Sequence, residues 1–355
     1  RVGTVKMSKS LGNVVSPVDF IEEYGADALR YALVHGIATG ADSQLSQNKL
    51  DHARNFGNKL WNISRFVLKQ VESHPEAFTG HAADERPDAR SEAARWILSR
   101  SDAAVAEATR LIDGYLFGEY LVALESFIWG ELADFYVELA KPSLRGADAT
   151  EAVRTLAYVL DRVLRLLHPS MPFITETIAL QLWQRAGKSD RAPSLVVSQW
   201  PKPGERDLAL EERVGAFIDV VRAIRNVRQE AGIDPSARAN VALAGHTEAV
   251  RDLAKQIGDL THSDVTLDGR GEGAATVIRA IEIRLVVDRD EAGERARLER
   301  ELTEARQMVQ RSQDLIAKPG FADKAPPEVV AKERAKLAER SERVRLLEKE
   351  RARKG

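Results

Sequence analysis

The chain has 355 residues, 44% of them apolar and 30% charged, no cysteine, and a formal net charge of -2. That length accommodates two or more domains, and the lack of cysteine excludes a disulfide framework or a Cys-ligated zinc site and fits a reducing compartment. No apolar run approaches the roughly 20 residues of a membrane span and no signal-peptide pattern opens the chain, so a cytoplasmic protein without membrane contact is expected.

The first feature in chain order is Lys6-Met7-Ser8-Lys9-Ser10, followed by Leu11-Gly12-Asn13. Two lysines three apart, among hydroxylated residues and ahead of a glycine, suit a mobile loop that closes on a polyphosphate. Each ammonium is a point charge on a flexible stem, and the hydroxyls and backbone N–H groups donate to phosphate oxygens. No Gly-x4-Gly-Lys-Ser/Thr pattern is present, which sets P-loop chemistry aside.

Residues 16–36 read as two short helices. Ser16 suits the N-cap, Pro17 the first position and Asp19 the first turn, while Gly25 and Gly36 end the two helices. Thr39–Ser43 reads as a turn. Over 48–71 a long helix follows, its core stripe carried by Leu50, Ala53, Phe56, Gly57, Leu60, Trp61, Val67, Leu68 and Val71. Trp61 is expected in the core; Arg54, Asn58 and Lys59 lie on the polar side. The prolines at 75 and 87 mark a loop over 73–90.

Helical patterns resume over 91–113, 115–141 and 149–167, and Pro169 and Pro172 break the chain before a further helix. His168, beside a proline at a helix end, reads as a capping or packing residue rather than a general base. Trp200-Pro201 closes this bundle and Pro203-Gly204 reads as a linker. A helix near 208–231 carries Val220, Val221, Ile224 and Val227 on one side and Arg222, Arg225 and Arg228 on the other, a row expected to face solvent. The stretches Val241–Ala244, Val265–Leu267, Thr276–Ile278 and Ile281–Val287 read as strands of a small mixed domain. Gly269-Arg270-Gly271-Glu272-Gly273 is a loop and not a dinucleotide fingerprint.

From Glu291 onward there are 17 Lys+Arg against 13 Asp+Glu, whereas the rest of the chain has 35 against 41. A basic tail on an acidic body points modestly to an anionic partner. Leu298, Leu302, Ala305, Val309, Ser312 and Ile316 follow heptad core spacing. Lys318-Pro319-Gly320 stops that helix, and Val330, Leu337, Val344 and Leu347 mark a second, so the pair reads as an antiparallel hairpin.

These segments together carry a family resemblance. Lys6–Ser10 resembles the second signature motif of class I aminoacyl-tRNA synthetases. Gly12–Pro17 and Tyr24–Arg30 resemble its continuation in the subgroup for branched aliphatic amino acids. Arg54–Asn62, Phe127–Lys141 and the hinge Phe321–Pro326 resemble, in turn, the opening bundle helix, the aromatic-acidic helix and the coiled-coil tip of valyl-tRNA synthetases. Gly57, Ala133 and Phe135 depart from that pattern. Isoleucyl relatives carry a cysteine-bearing zinc module, which speaks against them here; a leucyl or isoleucyl enzyme is the alternative.

The resemblance implies a mainly α chain. Residues 1–47 are the end of a Rossmann-type catalytic domain, 48–203 a helical-bundle anticodon-binding domain, 204–289 a small α/β connecting domain, and 290–355 a coiled-coil tRNA-binding arm. It implies a monomeric valine–tRNA ligase that uses ATP with Mg2+ and valine, acts on tRNA(Val), and is represented here by its C-terminal part, with the amino-acid pocket and editing site upstream. Lys6 and Lys9 are the expected catalytic residues, and Lys6, Met7, Ser8, Lys9 and Ser10 the ATP-binding set. Arg54, Asn58, Lys59, Arg222, Arg225 and Lys324 are the tRNA-binding candidates, and no metal site is expected. As it stands, the chain is alternatively a non-catalytic tRNA-binding module.

Overall fold

The computed structural model describes residues 16–42, 45–188, 192–248, 250–269, 273–286, 291–317 and 327–354. The lysine loop 6–10, Lys324 and the Lys318–Pro326 hinge lie outside the described residues. Two compact units emerge, Arg1–Leu285 and Val286–Gly355.

In the first unit, α1 (Pro17–Tyr24) starts where Ser16 accepts a hydrogen bond from the Val18 N–H at 3.2 Å, and Gly25 ends it at φ 88°. Helix α2 (Ala26–Val34) follows directly. Helix α3 (Gln47–Ser73) buries Leu50, Ala53, Phe56, Leu60, Ile63, Val67, Leu68 and Val71 along one side, as its three- and four-residue spacing dictates. The expected loop after it holds one 3-10 turn, Pro75–Phe78.

Helix α4 (Glu92–Asp113) packs on α5 (Phe117–Phe127). The predicted helix over 115–141 is a continuous rod with a change of pitch: a π segment, Ile128–Tyr136, joins α5 to α6 (Val137–Leu144). Helices α7 (Ala149–Leu167) and α8 (Pro172–Ala186) complete the bundle, and α7 is its most buried member. His168 caps α7 and its Nδ1 lies 2.8 Å from the Thr175 hydroxyl on α8, while burial lowers its basicity. That is the packing role expected of it.

Trp200 and the segment after it are pinned rather than loose. Buried Asp102 of α4 accepts the Gly204 N–H at 2.8 Å and pairs with Arg86 at 2.6 Å and with Arg162 of α7 at 2.8 Å. Arg162 also donates to the Lys202 carbonyl at 3.1 Å.

Helix α9 (Leu208–Glu230) leads into a four-stranded sheet of order β2-β1-β4-β3, built from β1 (Ala239–Gly245), β2 (Ser263–Leu267), β3 (Ala275–Ile278) and β4 (Ile281–Val286). Strands β1 and β2 run parallel with Val241 opposite Val265, and the crossover between them contains α10 (Ala254–Thr261), a helix not anticipated from the sequence. Strands β3 and β4 are antiparallel with Ile278 opposite Ile281. The two residues between them, Arg279 and Ala280, both have positive φ, 50° and 61°. That is the backbone demanded by a tight hairpin whose twist matches its strands.

The second unit consists of α11 (Glu291–Ala317) and α12 (Pro327–Lys354), packed against each other. Leu302, Ala305 and Ser312 are buried between them, as the heptad spacing requires. Arg340 donates to the Ser312 hydroxyl at 2.5 Å, and Arg306 pairs with Glu348 at 2.6 Å.

Candidate nucleic-acid interface

Helix α3 presents a polar face opposite its core stripe. An α-helix turns about 100° per residue, so Arg54, Asn58, Trp61, Arg65 and Lys69 fall on one line, with Asn55 and Asn62 beside it. All seven are exposed. Trp61 is 38% exposed, so it is not the core residue expected from its spacing: the core line runs through Ile63 and Ser64, and Trp61 sits at its edge, where the stripe meets solvent. A stripe of three cations, three amides and one exposed indole is suited to a nucleic acid, because cations neutralise phosphates while an aromatic face stacks on a base.

Within the stripe Arg54 is already engaged, and the remaining candidates are placed differently. Arg54 pairs with Asp51 at 2.8 Å and lies over the Tyr24 ring at 5.1 Å. Lys59 is turned away from the stripe; its ammonium lies 3.3 Å from Asp134 and 5.6 Å from the Trp129 ring centre, both on the π segment.

The row on α9 is not a solvated face. Arg228 is buried and donates to the carbonyls of Ala237 at 2.6 Å, His262 at 3.0 Å and Asp234 at 3.2 Å. Arg225 donates to the Leu260 carbonyl at 3.0 Å, and Arg222 to that of Gly130 at 3.0 Å, with both guanidinium groups over Phe135. Backbone carbonyls from distant segments engage these side chains, and nothing in a one-helix pattern foretells that. Of the three, Arg222 keeps substantial solvent exposure.

The stretch Tyr24–Arg30 is anchored to the bundle. Tyr24 is buried. Asp27 on α2 accepts the backbone N–H groups of Phe173 at 3.2 Å and Ile174 at 2.7 Å, where α8 begins. Arg30 donates to the Pro169 carbonyl at 2.8 Å and to that of Ser170 at 3.3 Å. The Tyr24–Arg30 stretch therefore clamps the short helices to the bundle.

Three family models match the chain in order. Residues 3–46 match the class I tRNA synthetases for I, L, M and V, residues 94–243 the anticodon-binding domain of tRNA ligase, and residues 290–353 the valyl tRNA synthetase tRNA binding arm. Taken in order, the matches make the chain similar to the C-terminal part of valyl-tRNA synthetases. It is 37% identical over 360 residues to the valine–tRNA ligase of Dehalococcoides mccartyi, covering 96% of this chain and 40% of that protein. Identity is 36% over 345 residues to the Thermus thermophilus enzyme and 35% over 351 residues to that of Bacillus subtilis, and the chain covers 38% of each. The chain thus spans about 40% of the length of the curated valyl-tRNA synthetases it matches. Among the described residues, no helix is long and apolar enough to cross a membrane.

Proposed function

We propose that the chain supplies the phosphate-gripping loop and the tRNA-holding parts of a valine–tRNA ligase. The observation that carries this reading is the ordered run of synthetase matches along 96% of the chain, ending in the valyl arm. That arm match favours valine over isoleucine or leucine. Residues 1–47 end the catalytic domain, 48–203 form the anticodon-binding bundle, 204–289 connect, and 290–355 form the arm.

In the reaction, the valine carboxylate attacks the α-phosphorus of ATP, supplied with Mg2+, and pyrophosphate leaves. A hydroxyl of the terminal ribose of tRNA(Val) then attacks the adenylate carbonyl and releases AMP. Lys6 and Lys9 neutralise charge on the transferring phosphates, while Met7, Ser8 and Ser10 shape the loop. The enzyme works as a cytoplasmic monomer. In a full-length enzyme carrying this sequence, Lys9→Ala is expected to lower pyrophosphate exchange by about 10²–10³ and leave tRNA affinity unchanged. Exchange near the wild-type rate sinks the assignment.

A second reading concerns the chain by itself, and the exposed stripe on α3 favours it: without the upstream domain it binds tRNA and does not aminoacylate. Affinity for tRNA should fall with salt, by a slope of about -0.9 per phosphate contacted. The double variant Trp61→Ala/Arg65→Ala should weaken it by more than about tenfold, since one stacked base is worth about 1–3 kcal/mol. A filter-binding titration that shows neither effect rejects the module.

A further inference from the structure

Three polar side chains converge on one oxygen of Glu125 on α5. Its Oε2 lies 2.7 Å from the Tyr31 hydroxyl, 2.8 Å from His35 Nε2 and 3.0 Å from His52 Nε2. The two imidazoles come from different elements, His35 from the end of α2 and His52 from α3, and their ring centres are 5.3 Å apart. Tyr31 stacks on the His35 ring at 4.9 Å. None of these side chains belongs to the α3 stripe or to the lysine loop.

As a hydrogen-bonded cluster this leaves one member without a partner. A carboxylate oxygen offers two lone pairs, and three polar groups approach this one. His35 Nε2 is buried and, despite its 2.8 Å approach, makes no aligned hydrogen bond. Two protonated imidazoles side by side would repel each other, and one carboxylate balances only one of them. Two neutral imidazoles and a carboxylate, by contrast, are a zinc donor set.

We propose that His35 Nε2, His52 Nε2 and Glu125 Oε2 form a zinc site with a solvent-reached fourth position. The three ligand atoms already lie within 4.8 Å of one another. Zinc–ligand bonds of about 2.0–2.1 Å at tetrahedral angles set neighbouring ligands about 3.3 Å apart. The observed nitrogen–oxygen separations of 2.8 and 3.0 Å need open by only a few tenths of an ångström. The His52 side chain is 43% exposed and provides the entry path, and Tyr31 remains as an outer donor that orients Glu125. The ion ties the end of α2 to α3 and α5.

The test uses the whole 355-residue chain, freed of any affinity tag and of metal. It is titrated with zinc chloride, and separately with cobalt chloride as a coloured substitute, with bound metal and melting temperature as readouts. One equivalent of zinc should bind saturably and raise the melting temperature with zinc concentration, and cobalt should develop the visible bands of a four-coordinate site. His52→Ala removes a partly exposed ligand and should weaken binding by at least about tenfold without lowering the metal-free melting temperature. Glu125→Gln keeps the side-chain shape and the acceptor for Tyr31, and should weaken binding likewise. His81→Ala, at a remote exposed histidine, should leave binding unchanged. Absence of saturable zinc, or wild-type affinity in both ligand variants, overturns the proposal.

Discussion

The Asp27 carboxylate on α2 accepts the Ile174 backbone N–H at 2.7 Å across a sequence separation of 147 residues, and so caps α8 from another helix. The first N–H groups of a helix have no partner within it, and an anion there also meets the positive end of the helix dipole. Asp27→Ala should lower stability by about 1–2 kcal/mol, the cost of losing a cap, while Asp27→Asn, which keeps an acceptor, should cost less. Urea denaturation of both variants checks this.

Two glycines make opposite predictions. A Cβ on Gly118 would stand 2.1 Å from the Ile37 carbonyl oxygen, so Gly118→Ala should force α5 from the segment after α2 and cost about 1–3 kcal/mol. A Cβ on Gly57 meets only the end of the Met171 side chain, at 3.4 Å. Gly57→Ala should therefore stabilise α3 by about 0.5–1 kcal/mol, the helix-propensity difference. Thermal melts of the two variants should move in opposite directions.

Asp102 is buried between Arg86 and Arg162 and also holds the Gly204 N–H. Removing one partner of a buried pair leaves the other charge uncompensated. Asp102→Asn should cost about 3–5 kcal/mol, with release of the 202–204 segment seen as faster amide exchange there.

Glu211 on α9 pairs with Arg206 at 2.6 Å and Arg100 at 2.8 Å, and accepts the Ser99 hydroxyl. Burial pushes its carboxyl up, but Arg206, Ser99 and Arg100 outweigh burial and bring it to about 2, against 4.5 for the free group. Because the folded value is the lower one, its contribution is complete above pH 4.5 and fades as pH falls through about 2. Glu211→Gln should be less stable than wild type by about 1–2 kcal/mol at neutral pH, and the two should converge in acid. Denaturation midpoints of the pair across that range measure it.

Much was legible in the residues alone. Apolar spacing and caps placed α1 through α9 within a few residues, because periodicity and end chemistry are local properties. The crossover helix α10 was missed: its eight residues are too short for periodicity to separate it from the strands beside it. The π segment was missed for a similar reason, since its pitch differs while its apolar content does not.

The sequence by itself determined the helical architecture, the four strands, the heptad hairpin and the family resemblance, whose motifs are strings of neighbours. Only the tertiary structure decided which side chains stay free to meet a ligand. It put Trp61 outside, buried Arg228 among three carbonyls, and brought His35, His52 and Glu125 to one point. The physical reason is one of range. A helix sets its own periodicity, but the partner that covers a side chain, or converges on it, arrives from residues tens of positions away.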